Sequence, residues 1–566
     1  MGRKKKLLTS GGRFNPRLIR SGLPIFRRVQ SAEEQLLLDE IGEFVIRSLG
    51  LAVGPIEGTD RQQAVNKIVE FLYLKLEGIV VTLSPDRLLE WLVCHDERVV
   101  YEDAFARFSI PARTACYSSV PKMVQEFQEE YGKRSSAHIS SRFLIEYVAA
   151  RPPNGQRPIS LSIYDELLAI AWQLVNFGNV SDALRYKLAD RPIAMLESGR
   201  LAIGRSAYEE AHDAFLGEFS YGLVGRSMDA FDGHWRVSGE SESRGDEADF
   251  RQQVDDATEC EFGIKYSELI DFLVEVLDAG LRRESEPKVA AVSDLLDEAN
   301  CKLNWDRSKL QKALDHFAAY PRADFMKPPP PSQKQDVYPW RHNRALSYFR
   351  KPLLLRRTSR GDEVVWGSRN LTIAAEYLAH LCLDARLNAT AKPMRDLVHQ
   401  IHDRDGAVFN DRVAELFEFH DEFIVRRRVE KVGRLSIKRP NGEDLGDVDV
   451  LVAIPRERRV LAIETKDLAV SLTPFEVWSE LRELFGDGID KSGKISIHLE
   501  RVEWLRAHLG ELLGILGLPD DATGWIIEPK IVFDRELVSP YVAKCVIPVM
   551  SYRRLREELA RTLDSL

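Results

Sequence analysis

Apolar residues recur at intervals of three and four over most of the first 230 positions. The stretches AVNKIVEFLYLKLEGIV (64–80) and YDELLAIAWQLVNFG (164–178) show this spacing clearly, and Asp and Gly residues separate the periodic segments. A period of 3.6 residues places such side chains on one face of a helix. The pattern therefore predicts a mainly helical domain over residues 31–237 and a further helical segment over residues 259–326.

Polar and proline-rich stretches separate these helical regions from the rest of the chain. The stretch SGESESRGDEADFRQQVDD (238–256) is acidic and nearly free of large apolar side chains, which predicts an acidic linker over residues 238–258. KPPPPSQ (327–333) lacks the N–H groups that regular structure needs. We interpret residues 327–394 as a proline spacer, a basic and aromatic segment and a connecting helix.

Beyond residue 394, helical and strand patterns alternate. A helical stretch (410–424) precedes a strand-like run (425–437) and two β-branched runs in LGDVDVLVAIPRERRVLAIETKD (445–467). Two amphipathic helical stretches, two more strands and a closing helix follow. This order predicts an α/β domain over residues 395–566, with a mixed central sheet flanked by helices. The predicted fold class is multidomain, mainly α-helical in its N-terminal and middle regions.

The predicted hairpin carries three charged side chains, Asp449, Glu464 and Lys466, inside otherwise apolar strands. Buried charges are costly unless they are paired or bound to a metal. A turn centred between Arg456 and Glu457 puts Asp449 opposite Glu464, with Cβ atoms about 5 Å apart. Facing carboxylates raise each other's pKa, and a Mg²⁺ or Mn²⁺ ion between them removes the repulsion.

Lys466 lies two positions beyond Glu464 and therefore shares its strand face, while Thr465 points the other way. In that place Lys466 would hold or help deprotonate the attacking water. A cation beside the scissile phosphate would stabilise the charge that develops there. The arrangement suits phosphodiester hydrolysis.

The pattern G-D-V-D-V-L-V (446–452) followed by I-E-T-K (463–466) resembles the core of the restriction-endonuclease-like PD-(D/E)xK nuclease superfamily. The resemblance covers roughly residues 395–566. It implies that Asp449, Glu464 and the backbone carbonyl of Thr465 bind the metal and that Lys466 is the catalytic lysine. Asp447, two residues before Asp449, is the alternative acid.

Many members of that superfamily carry a glutamate on the first helix of the domain, where this chain has Asn410. Glu415, about a turn and a half further along, is the acid that could substitute. The departure leaves open whether one or two metal ions bind. By the same resemblance, Lys494, His498 and Arg501 are candidates for phosphate contacts.

The segment YPWRHNRALSYFRKPLLLRRT (338–358) places six basic side chains among four aromatic ones. In nucleic-acid interfaces Arg meets phosphate and rings stack on bases. The candidate contacts are Arg341, Arg344, Arg350 and Lys351; the alternative is a segment whose aromatic residues pack onto the next domain. The basic residues 1–30 are predicted to be a solvated tail or a phosphate-contacting arm.

Composition narrows the class of protein further. The six cysteines contain no CxxC pair, which argues against a disulfide framework or a zinc ribbon and fits a reducing cytoplasm. No apolar run approaches the roughly 18 residues of a membrane helix, so we expect a cytoplasmic protein without membrane contact. The net charge is −9, so a basic isoelectric point cannot serve as an argument for nucleic-acid binding.

These patterns together predict a nuclease that depends on Mg²⁺ or Mn²⁺ and cleaves DNA rather than RNA, in bacterial defence against foreign DNA or in repair. The alternative is a catalytically inactive, nuclease-like nucleic-acid-binding or scaffold subunit of a larger complex. Expected partners are a second copy of the chain or a separate helicase or NTPase subunit, because the chain has no helicase motif of its own.

Overall fold

The computed structural model describes residues 23–116, 120–188, 192–205, 207–235, 244–283, 286–468, 470–486 and 493–565. The chain divides into two compact units. Unit 1 comprises Met1–Arg185, Asp190–Gly204 and Val224–His399, and unit 2 comprises Tyr186–Ala189, Arg205–Leu223 and Gln400–Leu566. Residues 1–22 of the predicted basic arm lie outside the described residues.

Unit 1 is mainly helical, as predicted. Side chains spaced by three and four on the second helix (Val65, Ile68, Leu72 and Leu76) are all fully buried in its main core. The helices up to residue 383 are α1 (Ser31–Leu49), α2 (Thr59–Val80), α3 (Leu88–Cys116), α4 (Val120–Ala150), α5 (Leu161–Arg185), α6 (Ala207–Trp235, shared between the two units), α7 (Arg244–Phe262), α8 (Tyr266–Leu281), α9 (Val292–Leu303), α10 (Arg307–Phe317) and α11 (Ser368–Leu383).

Unit 1 also contains two sheets that the helical pattern did not predict. The first has the order β1–β2–β3, with β1 (Gly54–Ile56), β2 (Ile193–Met195) and β3 (Leu201–Ile203). The second has the order β4–β7–β6–β5, with β4 (Lys288–Ala291), β5 (Ala318–Ala319), β6 (Leu353–Thr358) and β7 (Gly361–Trp366). The second sheet therefore runs through regions predicted to be helical or a spacer.

The prediction of an acidic linker is wrong for residues 244–258, which belong to helix α7. Val254, Ala257 and Thr258 are buried, and this short apolar stripe is enough to dock an otherwise polar helix. The low overall content of apolar residues in the segment gave no sign of a stripe that contains so few of them. Residues 238–243 of the predicted linker lie outside the described part of the chain.

The predicted spacer is packed into unit 1. Val337, in the short 3₁₀ helix Lys334–Val337, and Tyr348 belong to the main core of the unit. Arg344 is buried, and its guanidinium contacts the Glu146 carboxylate of α4 at 2.7 and 3.0 Å. The aromatic and basic segment therefore forms part of the interior of the protein.

Two other basic candidates of this segment also have partners within unit 1. Arg341 lies 3.0 Å from the Asp182 carboxylate, and the Lys351 ammonium donates to the carbonyl oxygens of Asp315 and His316 at 2.9 and 2.7 Å. Arg350 is half-buried, and burial lowers its pKa. These contacts favour the alternative in which the segment packs onto the protein, and nucleic-acid binding by it stays a prediction.

Unit 2 contains a five-stranded mixed sheet, which confirms the predicted fold class. The strand order is β14–β13–β12–β11–β8, antiparallel from β8 to β12 and parallel from β12 to β14. The strands of unit 2 are β8 (Ile424–Val429), β9 (Lys431–Val432), β10 (Leu435–Ser436), β11 (Val448–Ile454), β12 (Arg459–Lys466), β13 (Ile526–Phe533) and β14 (Val549–Ser551), of which β9 and β10 form a separate pair.

Helices cover both faces of this sheet. The remaining helices are α12 (Lys392–Glu418), α13 (Pro474–Phe485), α14 (Lys494–Ala507), α15 (Leu509–Ile515), α16 (Ser539–Val542) and α17 (Tyr552–Ser565). On one face, Leu451 and Ala462 pack with Val502 of α14. On the other face, Val450 and Ile463 pack with residues of α12 and α17. Helix α12 ends before residues 419–423, which had been predicted to continue it.

The β11–β12 hairpin has the predicted register. Val450 pairs with Ile463, and the pairing continues to Ile454 and Arg459 beside the turn. The turn is a short 3₁₀ helix, Pro455–Glu457, closed by Arg458 at a φ of 53°. In the described ranges, no helix combines the length and apolarity needed to cross a membrane.

The buried ion pair of Arg344 and Glu146 predicts a structural role for this arginine. Arg344→Met would leave the Glu146 carboxylate buried without its cation, and we expect the free energy of unfolding to fall by about 3–5 kcal/mol. Urea denaturation of the full chain measures this change. Arg357→Met is the matched control, because Arg357 lies in the same basic segment and its side chain is 87% exposed. Equal stability of the two variants would contradict the structural role.

Candidate active site

The candidate site lies where the pairing of β11 and β12 ends. Val450 and Ile463 are the last paired residues, and Asp449 and Glu464 are the next residues outward on each strand. Adjacent residues of β12 serve opposite faces, as the sequence predicted: Glu464 contacts α14, whereas Thr465 contacts α12. The charged residues therefore sit at the rim of the sheet, between helices on both sides.

The Asp449 carboxylate is held from the α12 side. The Thr465 backbone N–H donates to Oδ2 at 2.7 Å, and the Asn410 amide donates to Oδ1 at 3.0 Å. The Thr465 hydroxyl donates to Asn410 Oδ1 and lies 3.2 Å from Asp449 Oδ2. The pairing of β11 with β8 skips Asp449 and Arg428, and Arg428 has a φ of 49°. This local irregularity accompanies the turning of Asp449 towards Thr465.

Burial makes ionisation of Asp449 unfavourable. The residue is 9% exposed. Burial, followed by the negative charge of Glu464, raises the pKa of Asp449 to about 6, against the opposing effects of Lys466 and the Thr465 N–H. Asp447 is half-buried, and its charge also raises the pKa of Asp449. The two predicted metal ligands are thus close enough to repel each other.

Glu464 has a cationic partner at each carboxylate oxygen. Lys466 Nζ lies 2.6 Å from Oε1, and the Arg501 guanidinium donates to Oε2. Burial opposes ionisation, but the positive charges of Lys466 and Arg501 outweigh it and lower the pKa of Glu464. Burial is likewise outweighed at Lys466, whose pKa is raised by Glu464 and Asp449. Both groups therefore carry their charges.

His498 forms a hydrogen bond to the backbone of the central sheet. It is fully buried, and its Nε2 lies 3.0 Å from the Ala462 carbonyl oxygen, which requires a proton on that nitrogen. Its Nδ1 lies 3.8 Å from Glu464 Oε2, and burial lowers the pKa of the imidazole. His498 is therefore a neutral, buried residue that links α14 to β12 behind the site. Lys494 is the first residue of α14, one turn before His498.

The structure does not bring Glu415 to the site. Its side chain is exposed, and five residues along α12 rotate it about 140° away from Asn410. Asn410, noted in the sequence only for lacking a carboxylate, is the α12 residue that contacts Asp449. Two contacts of Arg501, to Glu464 and to the Leu445 carbonyl, were also missed. The three-residue spacing of His498 and Arg501, which puts both on one face of α14, was the sequence feature that could have indicated these contacts.

The donor set fits one hard divalent cation. Mg²⁺ is commonly held by one or two carboxylates together with water and substrate oxygens, and Asp449 and Glu464 are such a pair. Burial is the main cause of the raised pKa of Asp449, and the negative charge of Glu464, which a cation would compensate, is the second. No larger group of three or more His, Cys, Asp or Glu side chains suited to a metal is found among the described residues. A cation bound to Glu464 would lie close to the positive charges of Lys466 and Arg501, which already contact its two oxygens.

Fold and site together define a protein with a mainly helical unit and a mixed α/β unit that has two buried carboxylates and a half-buried lysine at the strand ends. A family model described as anti-phage protein Upx-like matches residues 51–532. The chain belongs to this Upx-like anti-phage family, and the match includes the whole candidate site. It supports the predicted role in phage defence. No curated protein and no solved structure matches the chain.

The pKa of Asp449 predicts a pH-dependent stability. Because the pKa is higher in the folded than in the unfolded chain, the stabilising contribution is complete below about pH 4 and is lost as the pH rises through about 6. The free energy of unfolding of the wild type, relative to Asp449→Asn, should therefore fall over this range by up to about 3 kcal/mol. Urea denaturation in EDTA at a series of pH values measures it. A flat difference would contradict a raised pKa.

Proposed function

We propose that this protein is a nuclease that depends on a divalent cation and cleaves phage DNA, with Asp449, Glu464 and Lys466 as its catalytic residues. The observation that best supports the proposal is the buried carboxylate pair at the end of the β11–β12 hairpin, with a charged lysine 2.6 Å from one carboxylate. Two acids that repel each other are rarely buried together at the end of interior strands unless their charge has a function. Membership of an anti-phage family is consistent with such a use.

The chain's own residues would act as follows. Asp449 and Glu464 would hold the cation through their carboxylates, and Asn410 and Thr465 would fix the direction of Asp449. Mg²⁺ or Mn²⁺, when bound, would supply positive charge beside the scissile phosphate. Lys466 would orient the attacking water and neutralise charge on the phosphate. The water oxygen bonds to phosphorus as the bond to the leaving oxygen breaks, and that oxygen ends protonated.

The wider setting forms part of the same proposal. The substrate would be DNA rather than RNA, met in the cytoplasm. Cutting both strands would call for a second copy of the chain, since the proposed site is single. Tracking along DNA would call for a separate helicase or NTPase subunit. In defence, foreign DNA would be the target.

A second candidate function is a nuclease-like scaffold or nucleic-acid-binding subunit without catalysis. The observation that favours it is the internal satisfaction of the cluster: Asp449 has the Asn410 and Thr465 donors, and Glu464 has Lys466 and Arg501. Such a cluster is complete without a ligand. The two functions differ in whether the protein needs a divalent cation.

Replacement of the catalytic residues tests the nuclease directly. We expect the purified chain to cleave plasmid or linear DNA with Mg²⁺ or Mn²⁺ and to lose activity in EDTA. Asp449→Ala and Lys466→Ala should each reduce the cleavage rate by at least about 100-fold, because each removes a charge that stabilises the transition state. Gel assays of DNA cleavage measure the rates.

The matched controls are Asp421→Ala and Lys431→Ala, which remove exposed charges from the same unit and should leave the rate unchanged. Circular dichroism checks that all variants fold. Failure to cleave DNA or RNA with either ion, together with failure to bind the ion, would favour the scaffold. Full activity of Asp449→Ala and Lys466→Ala would show that catalysis lies elsewhere.

Asn410 should contribute through Asp449 rather than through substrate. Asn410→Ala removes the amide that fixes Asp449 Oδ1, and we expect Mn²⁺ affinity to fall by about 10–100-fold. Titration of Mn²⁺ by electron paramagnetic resonance measures the affinity. Asn441→Ala, an exposed amide of the same unit, is the control. Unchanged affinity in Asn410→Ala would mean that Asp449 needs no positioning.

A further inference from the structure

Arg501 connects two parts of the candidate site that are distant in sequence. Its Nε donates to the Leu445 carbonyl, in the segment that leads into β11, and its Nη1 donates to Glu464 Oε2 on β12. A Cβ placed on Gly446 would lie 3.2 Å from Arg501 Nη2, and Gly446 has a φ of 77°. The backbone before Asp449 is therefore shaped closely around this guanidinium.

The same guanidinium occupies the oxygen that a cation would use. Lys466 contacts Glu464 Oε1 at 2.6 Å, so with Arg501 at Oε2 both oxygens of the carboxylate already have a cationic partner. A divalent cation bound to Glu464 would face the positive charges of both side chains. At contact distances such like-charge repulsion far exceeds thermal energy inside a protein. Movement of one of the two side chains away from Glu464 would relieve this repulsion and favour binding of the cation.

The contacts indicate which side chain gives way. Arg501 has another acceptor, the Leu445 carbonyl, which would retain part of its hydrogen bonding after it leaves Glu464. Lys466 sits on the same strand as Glu464, and the proposed function requires it beside the water. Arg501 belongs to a separate helix, α14, so its movement leaves β12 in place. Its side chain is less exposed than that of Lys466 (12% against 24%), but its departure leaves the proposed catalytic lysine beside Glu464.

We propose that Arg501 and the divalent cation compete for Glu464 Oε2, so that the Arg501–Glu464 ion pair keeps the metal site closed until a cation replaces the guanidinium. This inference rests on the proposed function, because it assumes that Glu464 binds a cation. It assigns Arg501 a regulatory role, setting the cation concentration at which the site fills. In this proposal, the Arg501 guanidinium supplies the positive charge at Glu464 Oε2 until the metal ion does.

Direct measurement of Mn²⁺ binding tests the competition without any cleavage assay. Arg501→Met keeps the apolar part of the side chain and removes its charge, and we expect Mn²⁺ to bind about tenfold more tightly, or better, than to the wild type. Arg501→Gln, which keeps a donor for the Leu445 carbonyl, should behave in the same way and serves if the Met variant does not fold. Electron paramagnetic resonance of free Mn²⁺, with the full chain, gives the affinities.

Arg506→Met is the matched control. Arg506 lies on the same helix and its replacement changes the net charge equally, but its guanidinium contacts Glu503 and the Ile527 carbonyl. Its Mn²⁺ affinity should equal that of the wild type. Tighter binding in both Arg501 variants, with no change in Arg506→Met, is the result expected from competition.

The outcomes separate this inference from the proposed function. If Arg501→Met and Arg501→Gln bind Mn²⁺ no more tightly than the wild type, while Asp449→Asn abolishes binding, competition is wrong and the metal site stands. If Arg506→Met tightens binding as much as Arg501→Met, the effect is one of net charge and competition is again wrong. If no variant binds Mn²⁺, both the competition and the metal-dependent nuclease are wrong.

Discussion

The cost of burying ionised carboxylates governs the design of the α/β unit. Water is withdrawn from Asp449 and Glu464 at the end of a strongly apolar hairpin, and each carboxylate must find donors within the protein. The two solve the problem differently. Glu464 is neutralised by cations. The hydrogen bonds to Asp449 come from neutral donors, and these donors and the charge of Lys466 do not offset its burial and the charge of Glu464, so its pKa is raised. The asymmetry leaves Asp449 as the member of the pair in need of positive charge.

The same constraint explains the interior of unit 1. Arg344 and Arg341 were candidates for nucleic-acid contacts in the sequence, because a linear pattern shows which residues are charged but not which residues they contact. In the structure, each meets a carboxylate of a helix more than 150 positions away in the chain. A charge run therefore indicates a nucleic-acid surface only once long-range ion pairs are excluded.

Prediction succeeded where periodicity was long and local. The helices of unit 1, the mixed sheet and the register from Val450 to Ile454 follow from patterns of apolar residues. The four-stranded sheet of unit 1 was missed because its strands are short and β4 lies far in sequence from β7. In the site, Glu464 and Lys466 follow from strand alternation, but the contacts of Asn410 and Arg501 depend on how α12 and α14 pack, which no local pattern encodes.

The alternation of Glu464 and Thr465 along β12 has a mechanical consequence. Thr465, through Asn410, responds to the position of α12, and Glu464, through Arg501, responds to that of α14. Neighbouring residues of one strand are thus tied to helices on opposite faces of the sheet. A small sliding of either helix would alter the distance between the Asp449 and Glu464 carboxylates, so that the packing of two helices sets the width of the gap between them.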